Sequence, residues 1–507
     1  MPLTLRRPGA VLLAAMLLVP AGLPAQQSET TLESARRARR VLDDALAATG
    51  GDRLRSVRTI LVRHDGFNLS RNQSRRVAAP YDTTPNRGRL VLDMEGGRLA
   101  WDLETGAPGG FHNWNRTVVT GTQGWSANPL ERRWFTLQAN IPALRQNLSR
   151  RLPHALLLEA ASRAQTLRWL GTGIHEGRPQ DVFAYATADG QQLSIYLDRS
   201  THLLTKFEQA YTDPLTGDAL FEMIVSEYRN VGGVQVPSHR VLRRAGEVVE
   251  DVRFTDIRVD EPLADSLFTK PPEYVDGTGG PDPDTTVMAV GEGVHLVRGV
   301  AGGNNTLVVI FQEYVFAMEP YGGDADSRRT IARIRELAPG KPIRYIAVTH
   351  HHDDHSGGLR TWIAEGAAVV TTPGNRGYFS RMSQAPYTLF PDRQQDVKAP
   401  LRLELVEGAK RVFTDGRRTV ELYNIGPSPH ADEMLIAYLP AERAVFQGDL
   451  LNRPADGRAR AGNLTTAHFL EWLERSGLAV DRVLGVHGPP ATLEELRLAV
   501  QMFREGN

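Results

Sequence analysis

THHHDDHSGG, residues 349–358, places four metal-ligating side chains in a His-x-His-x-Asp-His spacing: His350, His352, Asp354 and His355. In an extended chain alternate side chains share a face, so His350 and His352 turn toward one ion, and the turn that follows delivers Asp354 and His355 to a second. Imidazole and carboxylate donors at this density suit zinc or a similar borderline ion. A polar loop or a hydrogen-bonded core histidine accounts for one such His, but not for the full spacing. Upstream, KPIRYIAVT (341–349) is an apolar, β-branched run that reads as a buried strand ending at the ligands. Downstream, Gly357 and Gly358 let the backbone pass close to the site, and LRTWIAEGA (359–367) reads as a short helix. The ligands therefore sit at the carboxyl end of a strand, where open α/β layers normally place their sites.

With these flanks the chain resembles the metallo-β-lactamase superfamily of binuclear metallo-hydrolases over roughly residues 288–507. The resemblance implies three further ligands in a fixed order, each at a strand end. NIGPSPHADEML (424–435) offers His430 as the third ligand of the first metal. AVFQGDLL (444–451) offers Asp449 as the carboxylate bridging both, and DRVLGVHGPP (481–490) offers His487 as the last ligand of the second. The implied fold is an α/β (α+β) sandwich of αββα layers with two Zn2+ at one edge; Fe and Mn are alternative ions. Where many relatives have a short Asp-containing turn after the second strand, this chain has MEPYGG (318–323), which places Glu319 there to orient a ligating His.

Of the 14 histidines, eight lie between positions 295 and 487, and five of those are the expected ligands. His351 faces away from them as a supporting or structural residue, His468 reads as a surface or capping residue of a helix, and His295 takes no role. DSRRTIARIRELAPG (326–340) predicts a helix with Ser327 as N-cap, Ile331, Ile334 and Leu337 on one face, and Gly340 beyond its end. Further strands are expected in NTLVVIFQEYVFAMEP, AAVVTT, LRLELVEG, TVELYNI, MLIAYLP and AVFQGDL, and a closing amphipathic helix in TLEELRLAVQMFREG.

The rest of the chain has another character. Residues 1–25 read as a secretory signal: Arg6 and Arg7, an apolar run too short for a confident membrane span, then Leu23-Pro24-Ala25 at a cleavage point. This implies a periplasmic or secreted bacterial protein. There is no Cys, so neither a lipid-anchoring thiol nor a disulfide supports it. Basic and acidic residues balance at 59 each, which gives no general attraction to nucleic acid or an anionic membrane. The stretch 271–287, rich in Pro, Gly and Asp, reads as a linker.

Between signal and linker, residues 26–270 read as a mainly antiparallel β domain with an initial helix, a helical interruption at 143–164 and an Asp-Gly turn at 189–190. The ending DIRVDEPLADSLFTKPPEY (256–274) is similar to the last strands of the lipoprotein-sorting fold, a half-barrel over helices. That resemblance implies a concave face able to hold a lipid or present an acylated substrate; the alternative is that the apolar residues pack on the domain's own helices.

The constellation implies a hydrolase. His350, His352 and His430 hold one ion, and Asp354, His355 and His487 the other. A hydroxide bridging them attacks an ester, thioester, lactone or related bond, with Asp354 as the catalytic residue that orients it. In β-lactam-degrading branches of the superfamily the position of Asp449 is held by Cys or Ser, or the first His is changed. The aspartate therefore resembles general ester-type hydrolases. Alternatives are β-lactamase activity, a metal-dependent oxidoreductase of the same fold, and a non-catalytic periplasmic binding protein. Asn375, Arg376, Tyr378 and Asn463 are substrate-contact candidates by position, with loop or helix-start chemistry as the simpler reading.

Overall fold

The computed structural model describes residues 30–137, 140–278, 285–300, 304–454 and 456–506. The expected signal at 1–25 and the middle of the expected linker lie outside them. Among the described residues no helix is long and apolar enough to cross a membrane.

The upstream residues form one fourteen-stranded sheet, antiparallel along almost its whole length. One face packs on the domain's own helices: Ala38, Leu42 and Leu46 of the helix Thr31–Thr49, and Leu156, Leu157 and Ala160 of Pro153–Ser162, bury against Ile60, Val62, Phe183, Ile195 and Val236. The long helical stretch expected from sequence is two helices, Ile141–Ser149 and Pro153–Ser162. Proline lacks the N–H that a continuous helix needs, so the second begins at Pro153. Part of the expected linker belongs to this sheet, because Val275 and Asp276 pair in parallel with Arg133 and Trp134. The next strand, Thr286–Gly291, opens a new sheet.

Downstream, seven strands between Thr286 and Leu405 and six between Lys410 and Thr492 form two sheets. Leu307, Phe316 and Met318 of the first meet Leu422, Leu435, Phe446 and Leu484 of the second in a shared apolar layer. The outer face of the first sheet is covered by Ile331, Trp362 and Phe379 on helices. Phe469, Leu473, Leu496 and Val500 cover the second. The layer order is αββα, so the molecule is a mixed α/β protein with a large upstream β domain. In both sheets the central strands are buried on both faces, which is why their sequences run apolar rather than alternating.

One helix start differs from the sequence expectation. The helix over Asp324–Leu337 is preceded by Gly323, whose N–H is bound by the Asp326 carboxylate at 3.2 Å, so Ser327 lies inside the first turn rather than at the cap. The Ser327 hydroxyl instead donates to Gly358 O and accepts from the Trp362 indole N–H.

Candidate metal centre

The strand Ile343–Ala347 ends two residues before Thr349, and the chain bends at Thr349 and His350 and runs through His351 and His352 to the short helix Asp353–Ser356. This turn is held against the segment 320–323. Gly358 N–H donates to Pro320 O at 3.0 Å and Gly322 N–H to Asp354 O at 3.1 Å. A side chain at Gly357 would lie 2.4 Å from Gly322 O, and one at Gly358 2.0 Å from Ser327 Oγ, so both glycines are needed for the approach. Asp449 follows the strand Ala444–Gln447, where the Gln447 side chain accepts from Leu450 N–H and donates to Leu451 O, fixing the turn. Asn305 donates to Gly485 O and Gly488 O and so shapes the loop that carries His487.

All seven expected ligands converge. His350, His352, His430 and Asp449 form one group and Asp354, His355, Asp449 and His487 a second, each with its donor atoms within 4.8 Å of one another. Asp449 is shared. Its Oδ2 lies 3.1 Å from both His430 Nε2 and His355 Nε2, and its Oδ1 lies 2.9 Å from His487 Nε2. His350 Nε2 and His430 Nε2 are 3.1 Å apart, and His355 Nε2 and His487 Nε2 3.4 Å. Donors about 2.0–2.1 Å from a tetrahedral zinc stand roughly 3.3 Å from each other, so both groups fit such an ion.

The outward nitrogens agree. A carbonyl only accepts, so His352 donates from Nε2 to Ser74 O at 2.9 Å, and its buried Nδ1, without any partner, is left facing the cluster. His487 Nδ1 is 2.6 Å from Asn304 Oδ1 and His350 Nδ1 is 2.9 Å from Thr349 Oγ1, which leaves each Nε2 for the centre. Glu319 is fully buried, with Oε1 3.2 Å from His355 Nδ1; the contact is electrostatic, since neither atom is in hydrogen-bond geometry. Its backbone sits at φ +86°, a strained conformation for a non-glycine residue that the surrounding turn imposes.

Electrostatics mark a place for positive charge. Burial would raise the Asp449 pKa, but His355 and His487 hold it well below the usual carboxylate range. Burial likewise opposes charge on His355, yet Asp354, Asp449 and Glu319 push its pKa well above an ordinary imidazole. His350 is held well below by burial and by the neighbouring His355, His352 and His430, which keeps a lone pair free. Tyr321 stands edge-on to the rings of His355 and His487; burial and the nearby Asp354 push its hydroxyl up to about 12, so it stays a phenol.

Residues outside the motif complete the surroundings, and sequence reading did not find them. Gln73 and Ser74 come from the upstream domain, as does Phe111, whose ring meets His430 edge-on at 5.3 Å. Their positions in sequence carry no local signal; only the docking of one domain on the other brings them here. His351 is buried on the opposite side, against the Tyr378 ring. Tyr378 and Asn375 are themselves buried and Arg376 is exposed at a helix start, so no three-residue substrate clamp forms there. Asn463 is the N-cap of Leu464–Ser476 and accepts from Thr466 N–H, which accounts for it by helix-start chemistry. His468 lies within that helix and is half-buried, not a cap.

Residues 322–487 match the family model of the metallo-beta-lactamase superfamily. The C-terminal half is a domain of that superfamily. The match spans the whole run from the turn after Glu319 to His487 and contains all seven converging residues. Among solved structures, a metallo-beta-lactamase from Pontibacter korlensis is 18% identical, with 43% of this chain and 99% of that one covered and a TM-score of 0.34. The metallo-beta-lactamase FIM-1 from Pseudomonas aeruginosa, in its mono-zinc form, is 19% identical over 44% and 97%, with a TM-score of 0.34. The metallo-beta-lactamase DIM-1 is 19% identical over 44% and 99%, at 0.33. Membership in the superfamily makes a metal-dependent hydrolase the coarse functional assignment.

Proposed function

We propose that the protein is an exported, binuclear zinc hydrolase of ester, thioester, lactone or related bonds in a small-molecule substrate. The sharing of Asp449 between two complete ligand groups is the observation that carries this reading. His350, His352, His430 and Asp449 would hold one ion and Asp354, His355, His487 and Asp449 the other. When bound, such a pair supplies Lewis acidity, drawing the pKa of water down toward about 7 and polarising the bond under attack.

The residues of the chain do the rest. Asp354 turns one carboxylate oxygen toward His355, at 3.5 Å from its Nε2, and that oxygen is placed to orient an attacking water as well as to ligate. Phe111 and Tyr321 wall the cluster from opposite domains with ring edges and limit the water around it. An aspartate in the shared position, rather than Cys or Ser, supports ester-type substrates over β-lactams. The packing of the upstream sheet on its own helices supports a small soluble substrate over a lipid carried in that domain.

The test is a hydrolysis panel with the zinc-loaded full chain covering lactones, thioesters, phosphodiesters, aryl sulfates and β-lactams. Turnover of a carbonyl ester class, abolished in Asp449→Ala and in His352→Ala, is the expected result. Turnover that survives in Asp449→Ala overturns the reading, and turnover confined to β-lactams overturns the substrate class.

A further inference from the structure

We propose that the loop 70–82 of the upstream domain is a positioning element of the metal centre, with Gln73 setting the orientation of Asp354 and Ser74 fixing the tautomer of His352. The inference rests on the reading of the two ligand groups as metal sites, and adds to it a part of the chain that lies outside the superfamily match.

The loop joins the strands Thr59–Leu69 and Thr83–Asp93 of the large sheet and reaches across to the ligand turn. Gln73 Nε2 donates to Asp354 Oδ1 at 2.8 Å and to Asp353 Oδ1 at 2.5 Å. An amide that occupies Oδ1 leaves Oδ2 as the oxygen turned toward His355 and the second ligand group. One residue on, the Ser74 carbonyl accepts a hydrogen bond from His352 Nε2–H, which leaves the unprotonated Nδ1 for the first group. Asn72 O also accepts from Asp353 N–H at 3.2 Å, so three consecutive residues grip the turn, and they touch both half-sites. Outer partners of this kind orient ligands and tune their basicity.

A positioning element must itself be held, and this loop is. The Arg71 guanidinium is buried between Asp213 and Glu247 of the same domain. Asp82 closes the loop on itself, accepting from Ser74 Oγ and Arg75 N–H, both at 2.7 Å. On the far side Asp432 N–H donates to Arg75 O at 2.8 Å, next to the segment that carries His430. Burial, ion pairs and backbone bonds therefore fix Gln73 and Ser74 relative to both domains, as preorganisation of a site requires.

Competitive zinc titration of the full-length chain against a chromophoric chelator tests the proposal, with Gln73→Ala and with Gln73→Met, which keeps the chain length and removes the amide. The wild type is expected to bind two zinc ions. Both variants are expected to bind the ion of the Asp354 group about 10–100-fold more weakly, with the other ion changed less than about threefold. The cobalt-loaded visible spectrum should change with them, while the melting temperature of the metal-free protein stays within about 2 °C of wild type. Two wild-type zinc affinities in both variants overturn the positioning role and leave the metal reading standing. A wild-type chain that binds no zinc overturns both.

Discussion

Gly357→Ala is the most direct probe of how the ligand turn is held. The new Cβ would lie 2.4 Å from Gly322 O and 2.6 Å from Asp353 O, and both are backbone atoms that no rotamer change can move. Either the 320–323 segment or the ligand helix must retreat by about half an ångström or more, and packed interiors resist such shifts at a cost of about 1–3 kcal/mol. For a domain of this size that corresponds to a fall in melting temperature of roughly 3–10 °C. The 320–323 segment carries Tyr321 and follows Glu319, so zinc affinity should weaken in the same variant. Gly377→Ala is the control: nothing lies within 4 Å of its Cβ, it is exposed near the start of the helix Arg376–Gln384, and alanine there should be neutral or stabilising by up to about 1 kcal/mol. Thermal melts of the two variants, read by circular dichroism on metal-free protein, decide the matter. A Gly357→Ala protein that melts within 1 °C of wild type would refute the claim that this close approach shapes the site.

Other substitutions probe other parts of the argument. Glu319→Ala removes the carboxylate beside His355 Nδ1 and should weaken zinc binding about 10–100-fold, measured by chelator competition; an unchanged affinity would show that Glu319 is packing alone. Arg360→Ala strands the buried Asp392 and the carbonyls of Met382, Ser383 and Ala385, and should cost about 3–5 kcal/mol in denaturant melts, with a loss under 1 kcal/mol counting against it. Asn463→Ala should cost about 1 kcal/mol of stability through the lost cap and leave turnover intact; a collapse of turnover with normal stability would instead make Asn463 a substrate contact. Phe111→Ala should retain its zinc and raise KM by about 2–10-fold, the effect of one lost aromatic contact; equal KM values would remove Phe111 from the wall.

Much of the candidate ligand cluster was legible because its geometry is local. A strand that ends at Ala347, five connecting residues and one helical turn place His350, His352, Asp354 and His355 without help from distant sequence; Asp449 and His487 likewise follow strand ends closely, and His430 lies in the loop after the strand Thr419–Asn424. Glu319 was readable for the same reason, since it follows the strand Val315–Met318 directly. Ser327 was misread as a cap because Ser is a common cap residue, and the glycine and aspartate before it supply the start of that helix instead. The upstream partners were not readable at all. Gln73 and Ser74 lie 281 and 278 positions from Asp354 and His352, and nothing in SRNQSRRV distinguishes a loop that docks from one that faces water.

The grip of residues 72–74 on the ligand turn also joins the thermodynamics of the two halves. Any ion that binds only the docked arrangement stabilises docking by mass action, by about 2.7 kcal/mol at a hundredfold excess over Kd and about 4.1 kcal/mol at a thousandfold. An ion held by the candidate ligands would then act as a clasp between the upstream sheet and the downstream sandwich. Calorimetry should record two transitions for the metal-free chain, one for each domain. In the loaded chain they should merge into a single, later one.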